Sequence, residues 1–358
     1  MNHAAVAPLC NPAAMEIERY ALEAANHAYL AEDWYARIEQ GREIVAQLLG
    51  ATAQEISFVK NTSEGLGLVA NGIDWQDGDN VVISSIEFPA NHYPWQALSA
   101  KGVALREVEP TDAGEIPADK LISACDEQTR VLSISHVQYA TGFRCDLEAL
   151  GAHCRGRGIY LCVDAIQSLG VIPINVRAAS VDFLAADGHK WLCGPEGAGV
   201  FYCRKELIES LHVSSIGWKN VINATSFGNY DLSYRPDAGR FESGSFNIPG
   251  ILALIAAVSM WNRLGVERAW QHVMQLTDRL AAGLRDKGYS LAAPRSRQHS
   301  SGIVAFAVPA AAELQRELRK QHRIIVALRE GRIRVSPHAH NKTDQIDELL
   351  SAVPAHGA

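Results

Sequence analysis

No block of lysine and arginine occurs anywhere in the 358 residues, and the formal net charge is −7. That composition gives no electrostatic footprint for a phosphate backbone, so nucleic acid is not an expected partner. No apolar run is long enough to cross a bilayer: the longest, ILALIAAVSMW at 251–261, reads as a buried helix, and no membrane partner is expected. The opening MNHAAVAPLC has no basic stretch followed by an apolar core, so no secretory signal is visible. Cysteine is scattered. The seven are odd in number and never form a C-x-x-C pair, which fits reduced, buried thiols in a cytoplasmic protein. Internal repeats and low-complexity segments are also missing.

The chain that remains is 47% hydrophobic and only 20% charged, enough for a substantial core and two domains. Between about 56 and 205, short runs rich in β-branched and aromatic residues (ISFV, NVVISSIEF, RVLSISHV, IYLCVDA, VDFLAAD, GVFYC) alternate with helical patterns such as DLEALGAHCRGRG. Runs apolar throughout are strands buried on both faces, so the class is α/β with a mostly parallel sheet, the last two runs pairing antiparallel. A helix-rich bridge continues to about Asp286. GIVAFAV, AAELQRELRKQH, RIIVAL, RIRVS and TDQIDELLSAV then read as strand, helix, two strands around REG, and a final helix. The expected division is a leading segment 1–14 near the active site, a large domain 15–250, and a bridging helix with a small C-terminal α/β domain, 251–358.

Ligands of open parallel sheets sit beyond the carboxyl ends of the strands. The segments at those ends are short and polar: KNTSEG, EFPAN, HVQYATG, DAIQS and DGHKW. A lone lysine after a strand is ordinarily a surface charge, and TSEG alone is an ordinary helix cap. Together they point elsewhere. A desolvated lysine is a neutral nucleophile able to form a Schiff base with an aldehyde, the task pyridoxal phosphate sets, and that cofactor also needs an acid at its ring nitrogen. Lys190 and Asp164 are the candidates, and Thr62 with Ser63 opens a helix whose N-terminus can cradle a phosphate.

From D-x-x-Q at Asp164–Gln167 followed by DGHKWLCGPEG, the chain resembles the class V aminotransferase family, in the branch of cysteine desulfurases and isopenicillin N epimerase-like proteins. The resemblance covers essentially the whole chain. It implies fold type I of the pyridoxal-phosphate enzymes, with a seven-stranded sheet in the large domain, and a cytoplasmic homodimer with shared active sites. It also implies roles by position. Lys190 is the Schiff-base lysine, Asp164 the partner of the ring nitrogen, and Gln167 the partner of the ring's phenolic oxygen. Thr62, Ser63 and His189 contact the phosphate, as does Ser245 from the partner subunit. Phe88 stacks on the ring, and Arg334 clamps a substrate carboxylate, with His3 a second candidate near the substrate.

The departures from the family are specific. Desulfurases carry histidine where Phe88 stands, an asparagine near the cofactor where Tyr139 stands and a phosphate-contacting serine where Asp187 stands, so the resemblance places Tyr139 and Asp187 among the cofactor-binding positions. They also use a cysteine nucleophile on a C-terminal loop, whereas no cysteine follows Cys203 here and that loop is cut down to LREG. Asp187, repelled by a phosphate, is expected to turn away or to hold His189 as a cation. His338 and His340 lack the company of other ligands and read as loop residues, and no metal is expected. The leading function is aminotransfer on a small amino acid. The alternatives are a desulfurase-like or other β-lyase and an amino acid epimerase, and a non-catalytic binding module is disfavoured.

Overall fold

The computed structural model describes residues 1–357. Two helices that no sequence pattern announces open the chain, α1 (Asn11–Asn26) and α2 (Ala31–Leu49). The alternating region then runs β1 (Ile56–Val59), α3 (Thr62–Gly72), β2 (Asn80–Ser84), α4 (Tyr93–Gln96), β3 (Ala104–Val108), α5 (Ala118–Ser123) and β4 (Thr129–Ser135). It continues with α6 (Leu147–Arg157), β5 (Tyr160–Asp164), β6 (Phe183–Asp187) and β7 (Gly199–Cys203). Strand β2 stops at Ser84, so the Ile-Glu-Phe expected to extend it belongs to a loop.

These strands form one sheet in the order β1-β7-β6-β5-β4-β2-β3. Every pairing is parallel except the two that β7 makes, with β6 and β1. Successive side chains go to opposite faces, as strand geometry dictates. In β6, Leu184 and Ala186 join a cluster with Val45 and Leu49 of α2 and Leu150 of α6, while Phe183 and Ala185 join Leu66 and Val69 of α3. Helix α3 lies unusually close: a Cβ on Gly65 would fall 2.6 Å from the Cβ of Ala185. That approach brings the start of α3 to the end of β6.

The helix-rich bridge is two helices, α7 (Ile248–Leu264) and α8 (Val266–Asp286), bent by 81° where Gly265 adopts φ 82°. Ala253 and Ala257 of α7 pack on Ala13 of α1. Leu276, Leu280 and Leu284 of α8 instead enter a separate core. That core covers a three-stranded antiparallel sheet of β8 (Val304–Ala307), β9 (Ala327–Arg329) and β10 (Arg332–Val335), in the order β8-β10-β9. Helices α9 (Ala311–Gln321) and α10 (Thr343–Ala352) complete it. Among the described residues no single helix is long and apolar enough to cross a membrane.

Candidate active site

Asp164 is the last residue of β5 and Asp187 the last of its parallel neighbour β6, so the turn after β6 carries Lys190 across the same sheet end as Asp164. The turn is anchored: Gly188 donates to the carbonyl of Ala198, Gly194 to that of Gly188 and Cys193 to that of Lys190. Trp191, fully buried, donates its indole N–H to Gln167. Lys190 is only 9% exposed and Asp164 2%. Burial holds the Lys190 amine well below the usual lysine range, and Arg334 and Arg329 push it the same way, against the opposing charges of Asp164 and Asp187. Burial likewise raises the Asp164 carboxyl, with Glu87 adding to it and Lys190 opposing. Asp164 accepts the backbone N–H of Ile166 at 2.9 Å.

The N-terminus of α3 faces this pair. Asn61 caps it by accepting from Glu64 on its side chain and from Gly65 on its carbonyl, which leaves the N–H groups of Thr62 and Ser63 for an external acceptor. Thr62 is buried and its hydroxyl accepts from the backbone N–H of Asp187, while Ser63 is exposed. His189 Nδ1 lies 3.2 Å from Asp187 Oδ2, an ion-pair distance without hydrogen-bond alignment, and Asp187 Oδ1 has no partner among the described residues.

Arg334, on β10, is 1% exposed. It gives one N–H to the carbonyl of Tyr139 at 2.7 Å, while its Nε and Nη2 have no partner among the described residues. Burial, with Arg329 adding to it, lowers its pKa to about 10. A buried, half-satisfied guanidinium costs stability unless an anion completes it. The orphaned donors of Arg334 and the unpartnered Nδ1 of His189, together with the buried amine and carboxyl, fit pyridoxal phosphate and a substrate carboxylate, whereas Asp187 does not fit a phosphate contact. Phe88 is exposed, with its ring centroid 5.8 Å from Lys190 Nζ and an edge contact to the Tyr139 ring.

Gln167 is already engaged on both ends, donating to the carbonyl of Ala4 and accepting from Trp191, with one amide hydrogen remaining. His3 bonds the carbonyl of Ser336 through Nδ1 and packs edge-on against His338 and His340, beside the small sheet. His338 is a fully buried, satisfied loop residue. Ser245 is exposed just before α7 and, among the described residues, makes no hydrogen bond to the other site residues.

Two further residues belong to the site, although the sequence does not single them out. Glu87 is buried beneath the site, where it accepts from the Ser135 backbone and hydroxyl, Gln138 and Asn91, and its pKa is raised by that burial. It ties the loop after β2 to the loop after β4 and so sets Phe88 against Tyr139. Its place beside Phe88 at a strand end is the one signal the sequence carries for it. Glu330, in the β9–β10 turn, accepts the Tyr139 hydroxyl at 2.8 Å.

The family model described as aminotransferase class-V matches residues 3–348. A probable cysteine desulfurase of Pyrococcus abyssi is 31% identical over 337 residues, covering 88% of this chain and 82% of that protein. One of Methanothermobacter thermautotrophicus is 35% identical over 246 residues, 69% of this chain but only 61% of the relative's length. The apo cysteine desulfurase of Thermococcus onnurineus superposes with a TM-score of 0.89 at 29% identity, covering 98% of this chain and 92% of that one. A cystine C–S lyase, solved with its reaction product cysteine persulfide, shares the fold at a TM-score of 0.90 and 24% identity, with 98% and 95% covered. The relatives named as cysteine desulfurases favour the desulfurase-like alternative over the aminotransferase reading.

Proposed function

The chain belongs to the aminotransferase class-V family of pyridoxal-phosphate enzymes, and we propose that it is a β-lyase that breaks the carbon–sulfur bond of a cysteine-type amino acid and releases the sulfur as a free product. One observation carries the second half of that reading. Beside Lys190, Asp164 and Arg334, the β9–β10 hairpin carries Glu330 and Gly331 and no thiol. All seven cysteines precede residue 204, and burial raises the thiol pKa of each.

When bound, pyridoxal phosphate would supply an electron sink conjugated to the substrate's α-carbon through its amino nitrogen. This chain's residues do the rest. Arg334 holds the α-carboxylate on the two N–H directions left open, a bidentate task. Lys190, its amine held near neutrality, takes the α-proton at Nζ. The Cα–H pair becomes the Cα–Cβ double bond, the Cβ–S bond breaks, and its electron pair departs with sulfur. Water then converts the three-carbon fragment to pyruvate and ammonia. Asp164 keeps a negative charge against the ring nitrogen's proton, and Phe88 offers a face for stacking but no proton to exchange.

In this reading Ser245 serves a neighbouring protomer of a homodimer. The exposed apolar Ile216, Trp218, Ile222, Phe227, Tyr230 and Leu232 supply surface for that contact. We place the enzyme in the cytoplasm, in keeping with seven unpaired cysteines. Aminotransfer stands second, carried by the family's name. Incubating the purified enzyme with cysteine, cystine and other amino acids, with and without a keto acid, separates the readings. Pyruvate with ammonia and a sulfur product in equal amounts is expected, whereas exchange of amino groups without sulfur release overturns it.

A further inference from the structure

We propose that Glu330 reads a cationic group on the departing half of the substrate, so that the preferred substrates are thioether- or disulfide-linked diamino acids rather than cysteine. This rests on the lyase reading and adds a substrate class to it.

The turn that carries Glu330 is conformationally costly. Arg329 of β9 pairs with Arg332 of β10, leaving a two-residue connection in which Glu330 has φ 49° and Gly331 φ 72°. Left-handed backbone at both positions is the hairpin geometry suited to Asn, Asp or Gly. A glutamate there is strained, because its Cβ crowds the backbone in that conformation, so the turn itself gives no reason for this side chain. The Tyr139 hydroxyl, donating at 2.8 Å, is what holds its carboxylate.

It stands over Tyr139. The Tyr139 hydroxyl donates to Glu330 Oε1, its carbonyl accepts from Arg334, and its ring meets Phe88, which lies beside Lys190. One tyrosine therefore separates the arginine that takes the α-carboxylate from a carboxylate at the rim. A substrate whose α-carboxylate lies on Arg334 has to span that tyrosine, from its carbonyl to its hydroxyl, for a distal ammonium to meet Glu330. On the side of the small sheet the groups acting on the Lys190 amine are the cations Arg329 and Arg334, while the anions Asp164 and Asp187 lie on the large-domain side. A second ammonium is repelled there unless Glu330 meets it with Oε2, which Tyr139 does not engage.

Glu330→Gln keeps an acceptor for Tyr139 and removes only the charge. In the holoenzyme, kcat/KM for cystathionine relative to that for 3-chloroalanine, which has no distal cation, is expected to fall about tenfold in this variant. Calorimetry supplies a readout without turnover. Wild type should bind 2,7-diaminosuberate about tenfold more tightly than 2-aminosuberate, a difference lost in Glu330→Gln and also in Glu330→Asn, where the turn is eased rather than strained. Unchanged ratios in both measurements overturn the role of Glu330. Elimination from neither substrate by wild type sinks the lyase reading alone, and the diaminosuberate preference then still decides whether Glu330 binds the cation.

Discussion

Arg334 donates one N–H to the carbonyl of Tyr139, 2.7 Å away, and keeps two further nitrogens buried without a partner among the described residues. In a nearly inaccessible guanidinium this is an arrangement waiting for an anion. Arg334→Lys should therefore lower kcat/KM about 10- to 100-fold, chiefly through KM, because an ammonium cannot reproduce the fork. Steady-state kinetics on the substrate that wild type turns over checks this. An unchanged KM removes Arg334 from substrate binding.

Asp164 raises the pKa of the Lys190 amine against the larger lowering effect of burial. Replacing it by Asn should shift Lys190 further toward neutrality. Its reactivity with an acylating reagent in the apoenzyme, followed against pH, should then titrate at lower pH than in wild type. Turnover should fall by at least ~100-fold, the scale of losing a key electrostatic partner. A titration moved upward, or activity kept, contradicts the assignment.

Gly65→Ala tests the link between packing and site. The added methyl meets the Cβ of Ala185, which cannot swing aside, so α3 must shift. A loss of ~1–3 kcal/mol in unfolding free energy is expected, together with weaker retention of the cofactor, since Thr62 and Ser63 move with the helix. Urea unfolding and cofactor dissociation measured on the same variant should both respond.

Acid should destabilise the fold through buried histidines. His338 donates from Nε2 to the carbonyl of Trp191 and accepts the N–H of Ala339 at Nδ1, an arrangement only the neutral ring satisfies. Burial, with His3 and His340 adding to it, lowers its pKa from 6.5 to about 3, and His136 is lowered similarly, by burial and by Arg144. Between about 3 and 6.5 the unfolded chain binds the proton and the native one does not, so stability falls as pH drops through that window. Each such histidine contributes roughly 1.4 kcal/mol per pH unit. His338→Gln should flatten the dependence by about that amount between pH values of about 5 and 6, and identical slopes contradict it.

Much of this arrangement is legible in the sequence because strand ends are. Asp164, Asp187 and Lys190 follow runs such as IYLCVDA and VDFLAAD that are apolar throughout, and the sheet brings them together without help from distant segments. Strand β3 is hidden because it is an edge strand whose residues, apart from buried Val108, are half-buried or exposed, so no apolar run marks it. Helices α1 and α2 pack on α7, some two hundred residues away, and nothing local announces that. The roles of Glu87 and Glu330 are hidden for the same reason. Their partners Gln138 and Tyr139 lie 51 and 191 residues away in sequence, and only the folded chain shows a carboxylate meeting them.

The covalent role of Lys190 is tested most directly by reducing the cofactor-loaded enzyme with borohydride and mapping its peptides by mass. The pyridoxyl group should sit on the Lys190 amine, and Lys190→Ala should carry none. A label on a different lysine, or on none in the wild type, contradicts the assignment of this site.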